Sequence, residues 1–231
     1  IKIRYHKADV IVGICNKLSK DLGKYINKNV KTIYSPSYDR KIIKKAKEKL
    51  NLPKKLNFII NVSRFSKRKD HETTLRAFAE VSSRLQNLKL ILIGYGPEIS
   101  KIKSFAKELK IHKKIMIIKK TYNPYKYMKK SKLLILTSVY EGFPNVLTES
   151  LTIGTPVIST NANAGASEIL LNGKGGDLVK IGDYENLSKK ILNHFKNPGI
   201  LKKKTIIAKK NLYRFETIRH CKIYTNLFNK I

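Results

Sequence analysis

The chain contains 231 residues, 42% of them hydrophobic, so it is large and apolar enough to bury a globular core. Its two cysteines, Cys15 and Cys221, are too few and too widely spaced for a disulfide framework or a zinc site. The longest apolar runs have the length of strands, far below the roughly 18–20 residues of a membrane-spanning helix. A reducing cytoplasm is therefore the expected compartment.

The formal net charge of +33 indicates an anionic partner, such as nucleic acid, a phosphorylated ligand or an acidic membrane face. Most of the basic residues are lysines spread along the chain, however, which a coding bias would also produce. Proteins that read nucleic acids use arginine and surface aromatic side chains, whereas the aromatic residues here lie inside periodic segments. A basic nucleic-acid-binding or anion-binding α/β module without transferase activity is therefore the alternative hypothesis.

Short apolar runs alternate with amphipathic stretches along the chain, a pattern typical of a parallel sheet with helical crossovers. The pattern predicts strands at residues 10–14, 30–33, 56–62, 88–93, 114–118, 133–136, 156–159 and 176–179. It predicts helices at residues 19–25, 39–50, 71–85, 99–109, 145–152 and 184–194, and a helical tail from residue 200 to the end. The predicted fold is α/β, with a Rossmann-like doubly wound parallel sheet.

The predicted domain organisation has four parts. Residues 54–200 contain a complete doubly wound unit, and residues 39–53 form a basic linker before it. Residues 1–38 supply two strands and one helix, too little for a domain, so we expect the remnant of a truncated second α/β domain. Residues 201–231 form C-terminal helices. Since the chain opens on Ile1 in the middle of a pattern, we expect it to be a fragment of a longer polypeptide.

Two loops that follow predicted strands carry groups suited to a phosphorylated ligand, because ligands of doubly wound sheets bind at the carboxyl ends of the strands. Arg64 leaves one strand end and Lys69 lies beside the next helix start, so both cations could converge on a diphosphate. Gly94 and Gly96 form a tight turn in which the backbone could approach a ligand. A solvated basic loop and an ordinary turn are the alternatives.

A third loop, residues 140–149, reads Tyr-Glu-Gly-Phe-Pro-Asn-Val-Leu-Thr-Glu. Pro144 suits the first turn of a helix, which directs free amides to the carboxyl edge of the sheet. Glu141 and Glu149 would then share one pocket and accept hydrogen bonds from sugar hydroxyls. An exposed loop acid and an ordinary helix residue are equally compatible with the spacing.

The complete stretch resembles the GT-B glycosyltransferases of family 4, whose donor domains carry two glutamates eight positions apart in the setting E-G-F-x-x-x-x-x-E. The Gly154-Thr155-Pro156-Val157 strand entry is similar to that of the family, as are the Arg64 and Lys69 pair and the Gly94-Tyr95-Gly96-Pro97 turn. Further similar positions follow in order: Gly165, Glu168-Ile169, Asn172-Gly173 and Gly182-Asp183. Ala8-Asp9-Val10 and Ser19 resemble the last elements of the family's first domain.

The resemblance implies a donor-binding domain in which Arg64 and Lys69 hold the diphosphate, Glu149 accepts the ribose hydroxyls and Glu141 touches the donor sugar. The donor contacts would also include Gly94, Gly96, Gly142, Phe143, Pro144, Asn145 and Val146, mainly through backbone amides. It implies retention of anomeric configuration with no metal and no cofactor. The sequence has no D-x-D motif, and its histidines lack ligand spacing. The loop at residues 161–166 departs from the family's usual glycine-rich form.

The expected co-substrate is a nucleotide sugar, specifically a UDP-hexose or UDP-N-acetylhexosamine. The acceptor would be a glycan or a lipid-linked glycan in surface polysaccharide synthesis. An acceptor-binding domain in cis or a separate subunit would complete the enzyme, because this chain alone should be incomplete. An anionic membrane surface is a further expected partner, with the protein peripheral at the inner face of the membrane.

Overall fold

A computed structural model describes residues 5, 7–53, 55–162 and 165–229. Six parallel strands form the central sheet, in the spatial order β5-β4-β3-β6-β7-β8. They are β3 (Asn57–Val62), β4 (Leu88–Ile93), β5 (Ile115–Ile118), β6 (Leu134–Leu136), β7 (Val157–Thr160) and β8 (Asp177–Val179). This arrangement confirms the predicted doubly wound α/β fold.

Ten α-helices surround or extend the sheet within the described ranges. They are α1 (Asn16–Ile26), α2 (Lys41–Ala46), α3 (His71–Arg84), α4 (Ile99–Glu108), α5 (Tyr125–Lys130), α6 (Asn145–Ile153), α7 (Gly165–Ile169), α8 (Tyr184–Lys196), α9 (Pro198–Lys210) and α10 (Thr217–Phe228). None of these described helices is long and apolar enough to cross a membrane.

Apolar side chains cover both faces of the sheet, which explains why its strands read as nearly continuous apolar runs. Because side chains alternate along a strand, Phe58 and Ile60 of β3 join one core cluster while Ile59 joins the other. The first cluster packs against α6 through Leu151, and the second packs against α3 through Phe78. The sheet is therefore the middle layer of three.

The N-terminal segment forms a small sheet of its own. Strands β1 (Val12–Gly13) and β2 (Lys31–Thr32) pair in parallel, and α1 lies between them in sequence. The backbone amides of Ser37 and Tyr38 both donate to the carbonyl of Phe215, at 3.1 and 3.0 Å. The segment before the large sheet and the C-terminal tail are therefore in direct contact.

Several helix boundaries differ from the sequence prediction. The helix expected at residues 39–50 covers only Lys41–Ala46, and α5 and α7, with six and five residues, were not predicted. Helices this short contain too few turns to show a 3.6-residue period. The tail is interrupted by a 3₁₀ turn at Leu212–Phe215, and its expected continuation to the end includes residues 230 and 231, outside the described part. The division expected at residue 200 falls inside α9.

Candidate functional site

The order of the strands reverses its direction between β3 and β6. The chain proceeds outward from β3 to β4 and β5, and from β6 outward to β7 and β8, while β3 and β6 are neighbours through Ile60 and Leu134. At such a switch point the loops leave in opposite directions and open a crevice at the carboxyl ends of the strands. The three predicted loops follow β3, β4 and β6 and therefore meet at this edge.

The loops after β3 and β6 are joined by a buried ion pair. Lys69 Nζ donates to Glu141 Oε1, and Ser138 Oγ donates to the same oxygen at 2.6 Å. The Glu141 side chain is only 12% exposed, so the two partners neutralise a charge that burial would otherwise disfavour. Thus two predicted site residues, 72 positions apart in the chain, are brought into direct contact.

Backbone bonds fix the same two loops further. Thr137 Oγ1 donates to the carbonyl of Asp70 at 2.8 Å, and the amide of Val139 donates to the carbonyl of Arg68 at 2.9 Å. Asp70 has a positive φ of 43°, and its carboxylate caps α3 by accepting from the amide of Thr73. These contacts hold the basic loop at the end of β6.

Arg64 is exposed, and its side chain makes no hydrogen bond or ion pair with the described residues. Its side chain lines a cavity of about 310 Å³ formed by the carboxyl ends of three strands and the loops after them. The residues around this cavity are Val62, Ser63, Arg64, Ile93, Gly94, Tyr95, Lys119, Lys120, Thr121 and Pro124. Three cations therefore surround a space large enough for part of a phosphorylated ligand.

The glycines of the turn after β4 allow a close contact with the loop after β3. A Cβ on Gly94 would lie 1.9 Å from the carbonyl oxygen of Ser63, and one on Gly96 would lie 2.2 Å from that of Phe65. The missing side chains thus allow the turn to pack on the loop after β3, where Phe65 N donates to Tyr95 O at 2.8 Å. Their close approach is to protein backbone, so their expected ligand contact stays a prediction.

The loop before α6 presents backbone toward the crevice and an aromatic side chain toward the core. Pro144 is the N-cap, and Asn145 begins the helix, as predicted, without a side-chain cap. Phe143 is buried and lies in an edge-on contact with Phe215, with ring centroids 5.1 Å apart. Pro144 has no amide hydrogen, so the groups that remain for an anion are the first helical amides, Asn145 and Val146.

Glu149 lies one turn further along α6 and is mostly buried. Burial raises the pKa of its carboxyl, and a hydrogen bond from Tyr125 partly opposes the effect. Tyr125 Oη lies 3.5 Å from Glu149 Oε1, and burial together with this carboxylate raises the pKa of Tyr125 to about 12. Because Tyr125 follows Pro124, Glu149 lies near the loop that borders the cavity.

His71 was not predicted from the sequence, although it follows Lys69 by two positions. Its ring is buried edge-on against Phe65 with centroids 5.1 Å apart, and Nε2 lies 3.2 Å from Ser63 Oγ. Burial, with a smaller effect of Lys69, lowers the pKa of His71 to about 4. A neutral imidazole therefore packs against Ser63 and Phe65 of the basic loop. In the sequence, only the position of His71 two residues after Lys69 could have indicated this role.

Acidic and histidine side chains are dispersed over the site. Within residues 5, 7–53, 55–162 and 165–229, no three His, Cys, Asp or Glu residues are grouped so that they could hold a metal ion. Both cysteines are free. The loop at residues 161–166 departs from the family's usual form, and its residues 163 and 164 lie outside the described part of the chain.

The fold is a doubly wound parallel α/β domain in which a basic loop lies at the carboxyl edge of the sheet, beside the strand-order reversal. The sequence profile of the family described as Glycosyl transferases group 1 matches residues 42–212, and the chain belongs to this family. The predicted resemblance is confirmed, and the transferase hypothesis is favoured over the nucleic-acid-binding alternative.

Two curated relatives illustrate the family. One, from Campylobacter jejuni, is the N-acetylgalactosamine-N,N'-diacetylbacillosaminyl-diphospho-undecaprenol 4-alpha-N-acetylgalactosaminyltransferase, with 34% identity over 80% of this chain and 50% of its own length. The other, N-acetyl-alpha-D-glucosaminyl L-malate synthase of Bacillus anthracis, is 25% identical over 92% of this chain and 57% of its own length. This chain therefore spans about half the length of these relatives.

Solved structures share the fold at lower identity. A glycosyltransferase from Rickettsia africae superposes with a TM-score of 0.86 at 19% identity, covering 99% of this chain and 66% of that protein. HepE of Anabaena, solved with UDP-glucose, superposes with a TM-score of 0.84 at 18% identity, covering 97% of this chain and 64% of that protein. These superpositions confirm the GT-B fold class.

Proposed function

We propose that this chain is the donor-binding half of a retaining glycosyltransferase whose co-substrate is a UDP-hexose or UDP-N-acetylhexosamine. The carrying observation is the carboxyl edge of the sheet around β3. Arg64 borders a cavity on the β4 side of this strand, and Lys69 is paired with Glu141 across the strand-order reversal on the β6 side. Nucleotide ligands of doubly wound sheets bind at this position. Because the chain spans about half of its relatives, an acceptor-binding domain in cis or a separate subunit would complete the enzyme.

In this proposal, positive charge is concentrated where the leaving diphosphate develops negative charge. Arg64 binds phosphate oxygens as a planar fork and Lys69 as a point charge. The first amides of α6, at Asn145 and Val146, add donors at the positive end of the helix dipole. Fixed charges of this kind stabilise a transition state because they need no reorganisation during the reaction. Neutralisation would then require no metal ion.

The two glutamates have separate roles in this proposal. Both hydrogen bonds to Glu141 converge on Oε1, so Oε2 makes none with the described residues and can accept from a donor-sugar hydroxyl. Glu149 accepts the ribose hydroxyls beside Tyr125. Lys69 has three N–H donors, so it can hold Glu141 and still contact phosphate.

The comparisons favour a particular class of donor and acceptor. The Campylobacter jejuni relative is named for transferring N-acetylgalactosamine to a sugar on diphospho-undecaprenol, and HepE is solved with UDP-glucose. We therefore infer a UDP-sugar donor, with an N-acetylhexosamine preferred, and a lipid-linked glycan acceptor in surface polysaccharide synthesis.

The donor assignment is tested by saturation-transfer NMR against a panel of UDP-, GDP-, ADP- and dTDP-sugars, followed by titration calorimetry. Binding of UDP-sugars in preference to the other nucleotides supports the proposal. No binding to any nucleotide sugar contradicts it. If single-stranded oligonucleotides bind instead, with an affinity that falls steeply with salt, the nucleic-acid alternative replaces it.

We also propose peripheral binding of the full protein to an anionic membrane face. Two basic surfaces are available: the lysines of α2, and Lys202 with Lys203 on α9, which neighbour the exposed Ile206 and Ile207. Each lysine near such a surface contributes about 1 kcal/mol at low salt. The attraction decays within a Debye length of about 8–10 Å at physiological salt.

Liposome flotation distinguishes these surfaces. Co-flotation with anionic vesicles at low salt and release at about 0.5 M salt are expected. Comparing the double variants Lys41→Glu/Lys44→Glu and Lys202→Glu/Lys203→Glu identifies the face that is used. No binding to anionic vesicles, or equal binding to neutral ones, rejects the electrostatic proposal and favours coding bias as the origin of the charge.

A further inference from the structure

Helix α1 has no cap from its own sequence. Its N-cap residue, Cys15, makes no side-chain capping bond, and the first turn contains no acidic residue. The carboxylate of Glu168, which lies in the first turn of α7, supplies the cap instead. Glu168 Oε2 accepts from the amide of Asn16 at 3.1 Å and Oε1 accepts from the amide of Lys17 at 2.9 Å. Both oxygens of one carboxylate thus bind a helix 152 residues earlier in the chain.

The position of this carboxylate is fixed from several sides. Arg214 Nη2 donates to the backbone carbonyl of Glu168 at 3.1 Å. Asn16 Nδ2 donates to Tyr34 Oη at 2.6 Å. Burial, with contributions from the Glu168 charge and a hydrogen bond to it, raises the pKa of Tyr34 to about 12, so this phenol is a neutral neighbour of the carboxylate. Side chains from three separate parts of the chain therefore hold the cap.

Helix α7 also packs directly on the loop that precedes α6, residues 141–144. A Cβ on Gly165 would lie 2.8 Å from the carbonyl oxygen of Gly142 and 2.8 Å from Phe143 Cα. The N-terminal segment touches the same loop, since Cys15 Sγ lies 3.6 Å from the carbonyl oxygen of Gly142. A Cβ on Gly142 would also meet Ile14 Cδ1 at 3.2 Å. The loop is therefore enclosed between α7 and the start of α1, and Glu168 links these two helices to each other.

We propose that Glu168 is a positioning residue that seats α1 on this loop and thereby sets the width of the cleft around the donor sugar. Without it, the positive N-terminal end of α1 would be unsatisfied at the border of the crevice. The functional part rests on the proposed donor site, because the loop carries Glu141, the proposed contact of the donor sugar. Within the described part of the chain, Glu168 makes no hydrogen bond or ion pair with the basic loop after β3 or with Glu149.

Amide hydrogen exchange tests the positioning without any ligand. In Glu168→Ala, exchange at Asn16 and Lys17 should accelerate about 10-fold or more, because two charge-assisted bonds are lost. Glu168→Gln keeps one accepting oxygen and should give an intermediate rate. Glu108→Gln, an equal charge change at an exposed carboxylate of α4, is the matched control and should leave both amides unchanged. Unchanged exchange at these amides in a folded Glu168→Ala protein overturns the proposal.

Titration calorimetry then separates positioning from a general structural effect. Glu168→Ala should weaken binding of a UDP-sugar about 5- to 10-fold while changing UDP affinity less than about 2-fold, since only the sugar meets the displaced loop. Partial recovery in Glu168→Gln supports the role. Equal losses for UDP and the UDP-sugar overturn it. If the unmodified protein binds neither ligand, the donor proposal fails, whereas the exchange result still decides whether Glu168 seats α1.

Discussion

Replacing Glu149 with glutamine is expected to stabilise the protein and to weaken its binding of nucleotides. The carboxylate is mostly buried, Tyr125 Oη lies 3.5 Å from Oε1, and burial raises the pKa of the carboxyl above the ordinary value of 4.5. A folded-state pKa above the unfolded one means that the contribution of Glu149 to stability is fully present below about pH 4.5. It then falls as the pH rises through the folded pKa. At neutral pH the folded protein therefore carries the full cost of a buried charge, which glutamine removes.

The size of each effect follows from the same contact. Each kcal/mol recovered should raise Tm by about 2–4 °C in a protein of this length. A ribose hydroxyl bound to a carboxylate contributes about 1.5–3 kcal/mol, against about 0.5–1.5 kcal/mol for a neutral acceptor. Glutamine should therefore weaken UDP binding about 10-fold, and Glu149→Ala about 10- to 100-fold.

Differential scanning calorimetry and UDP titration at pH 7.5 measure the two effects, with Glu108→Gln as the exposed control. A lower Tm in Glu149→Gln than in the control would contradict the reasoning about burial. Unchanged UDP affinity in a folded Glu149→Ala protein would remove Glu149 from the site. Stabilisation with loss of binding is typical of a functional group held at a cost to the fold.

Three other predictions address the loop after β3. Arg64→Ala and Lys69→Ala should each reduce affinity for UDP much more than for uridine, because only the diphosphate meets them; calorimetry with both ligands measures this. His71, whose pKa burial lowers to about 4 from 6.5, should contribute roughly 3 kcal/mol of stability above pH 6.5 that is lost as the pH falls toward 4. Urea unfolding across this range should show a flatter profile in His71→Gln. Gly94→Ala should cost about 1–3 kcal/mol in urea unfolding, since its Cβ would overlap a neighbouring carbonyl.

Each of these predictions has a control or a contradicting result. Equal losses for UDP and uridine, or losses matched by Lys196→Ala, would return the two cations to the solvated-surface interpretation. An unchanged acid profile in His71→Gln would assign the pH dependence to other groups. Gly199→Ala, where a Cβ meets nothing within 4 Å, should be neutral. If Gly94→Ala is equally neutral, the close packing of the turn is not required.

Sequence patterns predicted the parts of this fold that depend on local order. The strand at Leu88–Ile93 agrees with its prediction at both ends, because its apolar run is bounded by clear turn residues. The alternation of strands and helices implies a parallel sheet, so the motif loops could be placed at its carboxyl edge in advance, whereas the reversal of strand order between β3 and β6 could not. Short helices such as Tyr125–Lys130 were not predicted, because six residues are too few to show the 3.6-residue period of apolar side chains.

The contacts inside the site could not be predicted from the sequence. Lys69 was expected on phosphate and Glu141 on sugar, but their mutual ion pair joins loops 72 positions apart. Gly94 and Gly96 were predicted to bring the backbone close to a ligand, whereas the close contact seen is with the loop after β3, which depends on strand order. The Glu168 cap joins helices 152 positions apart. Such pairings depend on how the layers pack, which no local pattern contains.

The aromatic contact between Phe143 and Phe215 determines where the protein can be shortened. Phe215 also meets Tyr34 edge-on, with centroids 5.1 Å apart, so one ring from the tail touches both the loop before α6 and the N-terminal segment. A chain ending at residue 200 would retain the whole sheet but lose this ring, whose removal from a core costs about 3–5 kcal/mol. The loop that carries Glu141 would then lose the packing of Phe143 against Phe215. Phe215 therefore contributes to the structure around the crevice, although it lies far from Glu141 in sequence.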